Sequence, residues 1–158
     1  MREYIDRIWP HVAGESRSRE CLLLAVIALL VLFSGGFLLE LLDVSLSLGW
    51  IGLAFGIATV AGVVRAGLGP TIGVVWLFAL WWYVFPPLVG YLTGNWEMAS
   101  RYTYPRMLGY GYTAAYYELV GGIERSVTAG LPFAIFVGTV GYSVGTAVSG
   151  HLIRSTAR

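Results

Sequence analysis

Apolar residues in this chain come in four long runs separated by short polar breaks. The first, CLLLAVIALLVLFSGGFLL (residues 21–39), carries no charge. The second, LGWIGLAFGIATVAGVV (48–64), is shorter, equally uncharged, and stopped by Arg65. The third, TIGVVWLFALWWYVFPPLVGYL (71–92), is the most aromatic; the fourth, AGLPFAIFVGTVGYSVGTAVSG (129–150), is rich in small residues. Crossing roughly 30 Å of hydrocarbon takes about 20 apolar residues. The pattern predicts an all-α integral membrane protein with four antiparallel transmembrane helices at about residues 21–42, 48–65, 71–92 and 129–151. Short connections make the first three antiparallel neighbours, and a longer outer loop, 93–128, precedes the fourth.

Two stretches outside these runs have helical periodicity and predict interfacial amphipathic helices. In REYIDRIWPHV, the residues Tyr4, Ile5, Ile8, Trp9 and Val12 share a face opposite Glu3, Asp6 and Arg7. Residues 1–20 thus read as a cytoplasmic amphipathic segment on the leaflet, bent or stopped at Pro10. Twenty mostly polar residues before the first run, and no small-residue cleavage site after it, make that run an uncleaved anchor. In the outer loop, Tyr112, Tyr116, Leu119, Val120, Ile123 and Val127 share a face opposite Glu118, Gly122 and Arg125. Six tyrosines between positions 102 and 117 fit interfacial anchoring. A ligand-binding aromatic patch is the competing reading of the same tyrosines.

Composition narrows the class further. Charged residues make up 12% of the chain and hydrophobic ones 57%, against roughly 25% charged in soluble domains. All ten basic residues are arginines, which excludes a Schiff-base or phosphate-loop lysine. Seven of them fall on the side of the termini and three in the outer loop, which places both termini in the cytoplasm. A fifth span through residues 107–123 would put Glu118 in lipid and weaken that bias. Cys21 stands alone, so no intramolecular disulfide or dithiol redox pair can form. A formal net charge of +1 without a basic stripe argues against nucleic acid.

The stretch FVGTVGYSVG (136–145) resembles chemistry in two ways. Its TVGY echoes a potassium filter, but such a filter needs a carbonyl-lined loop and a further helix behind it. Its GYSVG fits the G-x-S-x-G nucleophile turn, which requires a strand before it and a histidine in reach; His151 lies about 12 Å farther along a helix. The physical reading is a packing seam: Gly138, Gly141, Gly145 and Ser149 lie near one helical face, and small residues let helix backbones approach closely in lipid. The second span offers a matching seam through Gly52 and Gly56, extended by Thr59 and Gly62.

Other candidates are few. GYGYTA (109–114) lacks the strand–helix context of a dinucleotide site, and the His, Cys and carboxylate spacing suggests no metal site. No catalytic constellation and no cofactor are expected. Glu40, Asp43 and Arg65 lie at span ends and could line a vestibule; Trp81 and Trp82 could stack a flat apolar ligand or simply pack; Glu118 is a further candidate. Pro86 and Pro87 predict a kink. The expected function is a non-enzymatic membrane subunit or scaffold in the lipid bilayer, packing on its own copies or on a membrane-protein partner. The alternatives are a small oligomeric transporter or channel, and a lipid-handling enzyme using Glu118, Glu124, Arg125 or His151.

Overall fold

The computed structural model describes residues 14–45, 47–96, 101–103 and 114–156, with side chains as far as His151. Every regular element among them is a helix: α1 (Ser16–Leu38), α2 (Leu48–Val63), α3 (Leu68–Thr93), α4 (Ala115–Arg125), a π-helical turn (Ser126–Gly130) and α5 (Leu131–Thr156). Three stretches are long and apolar enough to cross a membrane: Ser16–Leu38, Leu68–Thr93 and the joined Ala115–His151. They are the helices of a membrane-embedded protein. The fourth, α2, is apolar but has only 16 residues, about 24 Å of helix against about 30 Å of hydrocarbon. The amphipathic reading of the N-terminus falls mainly on residues 1–13, outside the described residues.

α1 shows why these helices need a membrane. Leu22, Val26 and Leu30, four residues apart, face the core, while Leu23, Leu24, Val31 and Leu32 are exposed. A helix apolar on both sides has lipid, not water, on its outer face. It begins five residues before the apolar run, because Ser16, Arg17 and Arg19 continue the same helix as an exposed polar turn.

α1 and α2 end alike. Past α1, the Glu40 amide donates to the Phe37 carbonyl and the Leu41 amide to the Gly36 carbonyl. Past α2, Arg65 donates to Gly62 and Ala66 to Ala61. This paired closure is the Schellman motif, which puts the residue after the cap in the left-handed region. Glu40 (φ +62°) and Arg65 (φ +56°) occupy it without being glycine.

The core seam joins α2 to α5. A Cβ on Gly141 would lie 2.6 Å from the Ala58 Cβ, and one on Gly145 would run into the Thr59 carbonyl and lie 2.9 Å from the Gly62 Cα. Rising residue numbers pair with rising residue numbers, so the two helices run parallel. Ala58-x-x-x-Gly62 faces Gly141-x-x-x-Gly145, with small residues on both sides of the contact. The long helix runs antiparallel to α3: Gly138 meets Ile72, Gly130 meets Ala79, and Gly122 meets Tyr83.

Two expectations change at this point. Gly52 and Gly56 do not lie in the seam; both are exposed, and a Cβ on either would meet nothing within 4 Å. At about 100° per residue they fall opposite Ala54, Ala58 and Ala61, which are fully buried. Alanine is small enough to serve as the contact, so glycine spacing misplaced Gly52 and Gly56, while Thr59 and Gly62, expected in the same seam, do meet α5. Second, the helix expected within residues 93–128 is not a separate element. α4 runs through the π turn into α5, with Glu118, Gly121 and Gly122 buried and Tyr116, Val120, Ile123 and Val127 exposed. Its outward face carries these apolar residues beside Glu124 and Arg125, and its glycine face points inward.

Candidate functional site

The most enclosed ionisable group among the described residues is Glu118, with no exposed surface. α4 brings it to α3 through a close backbone contact four residues on, where Gly122 abuts the Tyr83 carbonyl and a Cβ would lie 3.6 Å from Pro87 Cγ. Pro87 has no N–H to give that carbonyl, and the backbone there faces a residue with no side chain. Pro86 and Pro87 are both fully buried inside α3, which continues helical through them to Thr93. Ionisable groups enclosed between membrane helices are costly to bury and as a rule mark ion or proton sites.

Below Glu118 the π turn holds a second polar element. Ser126 is fully buried; its hydroxyl donates to the Ile123 carbonyl at 2.7 Å, and its own carbonyl accepts the Trp76 indole N–H at 3.0 Å. The cause of the wide turn is in the sequence. Pro132 has no N–H for the carbonyl four residues back, and its ring crowds that carbonyl. A π turn, which takes in one extra residue, moves the carbonyls apart.

At the C-terminal end of α1, Arg101 forms a clamp. Its guanidinium donates to the Phe37 carbonyl at 2.6 Å and the Leu42 carbonyl at 3.3 Å, and lies 4.5 Å from the Phe37 ring centroid. A cation on helix C-terminal carbonyls is favoured by the dipole. The Arg101–Glu40 ion pair, at 3.3 Å, is peripheral because the Glu40 side chain is 74% exposed.

Trp81 is held in the core by its own chain. It donates to Ser34 Oγ at 2.9 Å, stacks on Phe85 with centroids 5.5 Å apart, and contacts Phe33, Trp50 and Phe78. Trp82 is buried with Phe37, Val44 and Val89.

The sequence candidates therefore separate. Glu40, with Asp43 just beyond it, lies past the C-terminal end of α1; Arg65 sits at the other end, where its carbonyl accepts the Glu15 amide at 3.3 Å. These three do not converge on one vestibule. Asp43 accepts the Val44 amide at 3.0 Å and shapes the turn. Glu118 and His151 stand at opposite ends of one long helix, and Glu124, Arg125 and His151 are exposed. Ser143 and Ser149 bond carbonyls of their own helix, and Ser149 is half-buried. The 136–145 stretch is helical throughout, with neither a carbonyl-lined loop nor a strand.

Four participants had no usable signal in the sequence. Arg101 lies in a loop, Ser34 and Ser126 resemble ordinary small residues, and Trp76 is one aromatic among many. Among the described residues, no group of three or more His, Cys, Asp or Glu is placed to hold a metal ion. No family model, curated protein or solved structure matches this chain.

Proposed function

We propose that this protein is a multi-pass membrane subunit without a reaction of its own, acting by lateral association of its copies through the exposed face of α2. The supporting observation is that α2 has two small-residue faces. One, Ala54, Ala58, Ala61 and Gly62, is filled by the rest of the chain; the other, with Gly52 and Gly56, is open. In lipid, an open small-residue face lets a second helix come close. A helix shorter than the bilayer also gains by associating. In this reading α2 spans with its neighbours, giving four spans and cytoplasmic termini. The arginines fit that orientation: Arg17 and Arg19 open α1 beside Arg65, where Gly14 abuts Ala66.

Cysteine cross-linking tests the association. In a Cys21→Ser background, Gly56→Cys should form an intermolecular disulfide in liposomes, whereas cysteine at Ala54, on the filled face, should not. Equal cross-linking at both positions would sink the reading.

One observation favours the alternative of an oligomeric transporter: Glu118 is fully buried in a membrane helix, where an ionisable group marks an ion or proton path by default. Flux of protons or monovalent cations into liposomes, abolished by Glu118→Gln while association persists, would select that alternative over the subunit.

A further inference from the structure

We infer that α4 is a hinged flap over the Glu118 carboxyl and that the π turn at Ser126–Gly130 is its latch. The inference does not depend on the lateral-association reading, since it concerns a different helix and a different contact.

The latch follows from register. α5 is fixed by its seam with α2 and α3, so the number of residues in the turn below α4 decides which face α4 presents to α3. With the extra residue of the π turn, Gly122 faces the Tyr83 carbonyl and Glu118 is enclosed. If the turn closed to α, each place on α4 would be taken by the next residue, a rotation of about 100°. Ile123 would then occupy the place of Gly122, where even a Cβ meets the Tyr83 carbonyl. α4 could not stay seated on α3 and would swing outward, opening Glu118 to protons or cations at the membrane surface.

Two features outside α4 favour the closed register. The ring of Pro132 would crowd the carbonyl of residue 128 in an α turn. Trp76, on α3, donates to the Ser126 carbonyl at 3.0 Å. Among the described residues the flap packs on α3, its far side is exposed, and near its tip Tyr116 meets Tyr91 with ring centroids 6.5 Å apart. A π turn inside a long helix, about two turns from a buried carboxyl, is a place where the helix can change register.

The experiment measures carboxyl accessibility in the full chain in liposomes. A water-soluble carbodiimide with glycinamide modifies accessible carboxylates, and mass spectrometry reads the modification of Glu118 relative to exposed Glu124 on the same helix. In the parent protein Glu118 should label far more slowly than Glu124. Trp76→Phe, which removes one donor, should raise the Glu118:Glu124 ratio about tenfold. Pro132→Ala, which permits the α turn, should raise it by up to roughly a hundredfold. A bifunctional thiol cross-linker between Tyr91→Cys and Tyr116→Cys, in the Cys21→Ser background, should hold the flap down and return the ratio of Pro132→Ala to the parent value. Failure of that cross-link to restore protection would mean the gain came from general unfolding, and the latch is wrong. An unchanged ratio in both single variants, or parent Glu118 labelling as fast as Glu124, would overturn it equally.

Discussion

Gly62 on α2 and Gly145 on α5 stand so close that a Cβ on either would come within 3.0 Å of the other's Cα. Each also abuts a carbonyl across the contact, Gly62 that of Tyr142 and Gly145 that of Thr59. Side-chain carbons do not approach backbone this closely, so any larger residue must push the two helices apart.

Gly145→Leu or Gly62→Leu should therefore cost about 1–3 kcal/mol, on the scale of overpacked cores, read as a lowered unfolding midpoint in mild detergent. Ser143, two residues away, is exposed and bonds only its own helix at the Thr139 carbonyl, 2.8 Å away. Ser143→Ala should stay within about 0.5 kcal/mol. A silent Gly145→Leu beside a damaging Ser143→Ala would revive the reading of this stretch as a nucleophile turn or filter.

Glu40 and Arg65 offer a second, opposite kind of test. Both are in the left-handed conformation that closes a helix, where a side chain costs about 1–2 kcal/mol relative to glycine before unfolded-state entropy is counted. Glu40→Gly and Arg65→Gly should thus raise stability by roughly 0.5–1 kcal/mol, measured by thermal unfolding. A residue kept for a charged vestibule would instead lose activity while stability rose.

These two cases show what the sequence could and could not reveal. The apolar runs located four helical segments, because hydrocarbon thickness fixes a length that composition reports directly. Face selection failed at α2, since Ala58 and Ala61 pack as closely as glycine and carry no special spacing. The break expected near residue 129 came from where the fourth apolar run begins. Here a π turn absorbs the proline, and the helix continues back to Ala115. Glu118 was visible as a lone acid, but its burial depends on register, which no periodicity window reports. Arg101 was invisible for a different reason: its partners are backbone carbonyls some sixty residues earlier.

Arg101→Ala should loosen the C-terminal end of α1. The guanidinium is charged, partly buried, and satisfies two carbonyls at once, so the loss should be about 1.5–3 kcal/mol. Lysine lacks the planar fork and should recover only part of it. Hydrogen exchange at the amides of residues 39–42 should quicken in Arg101→Ala. Glu40→Gln should change stability by less than about 0.5 kcal/mol, because its ion pair is largely solvated. A larger effect of Glu40→Gln than of Arg101→Ala would show that the ion pair, not the carbonyl clamp, holds this end.

The Ser34–Trp81 bond ties α1 to α3 at 2.9 Å. Ser34→Ala and Trp81→Phe should each be destabilising, and a double-mutant cycle should return a coupling of about 0.6–1.5 kcal/mol. Zero coupling would mean that Trp81 is held by its aromatic neighbours alone.

The measurement that bears most directly on the account is energy transfer between donor- and acceptor-labelled copies in liposomes, followed as lipid dilutes the protein. The parent protein should show transfer above random proximity with a fixed stoichiometry. Gly52→Leu with Gly56→Leu should weaken association by about 1–3 kcal/mol without lowering the unfolding midpoint, since a Cβ at either position meets no other part of the chain within 4 Å. Transfer no greater than random at any dilution, or a double variant that associates like the parent, would contradict the proposal that the open face of α2 is where this protein does its work.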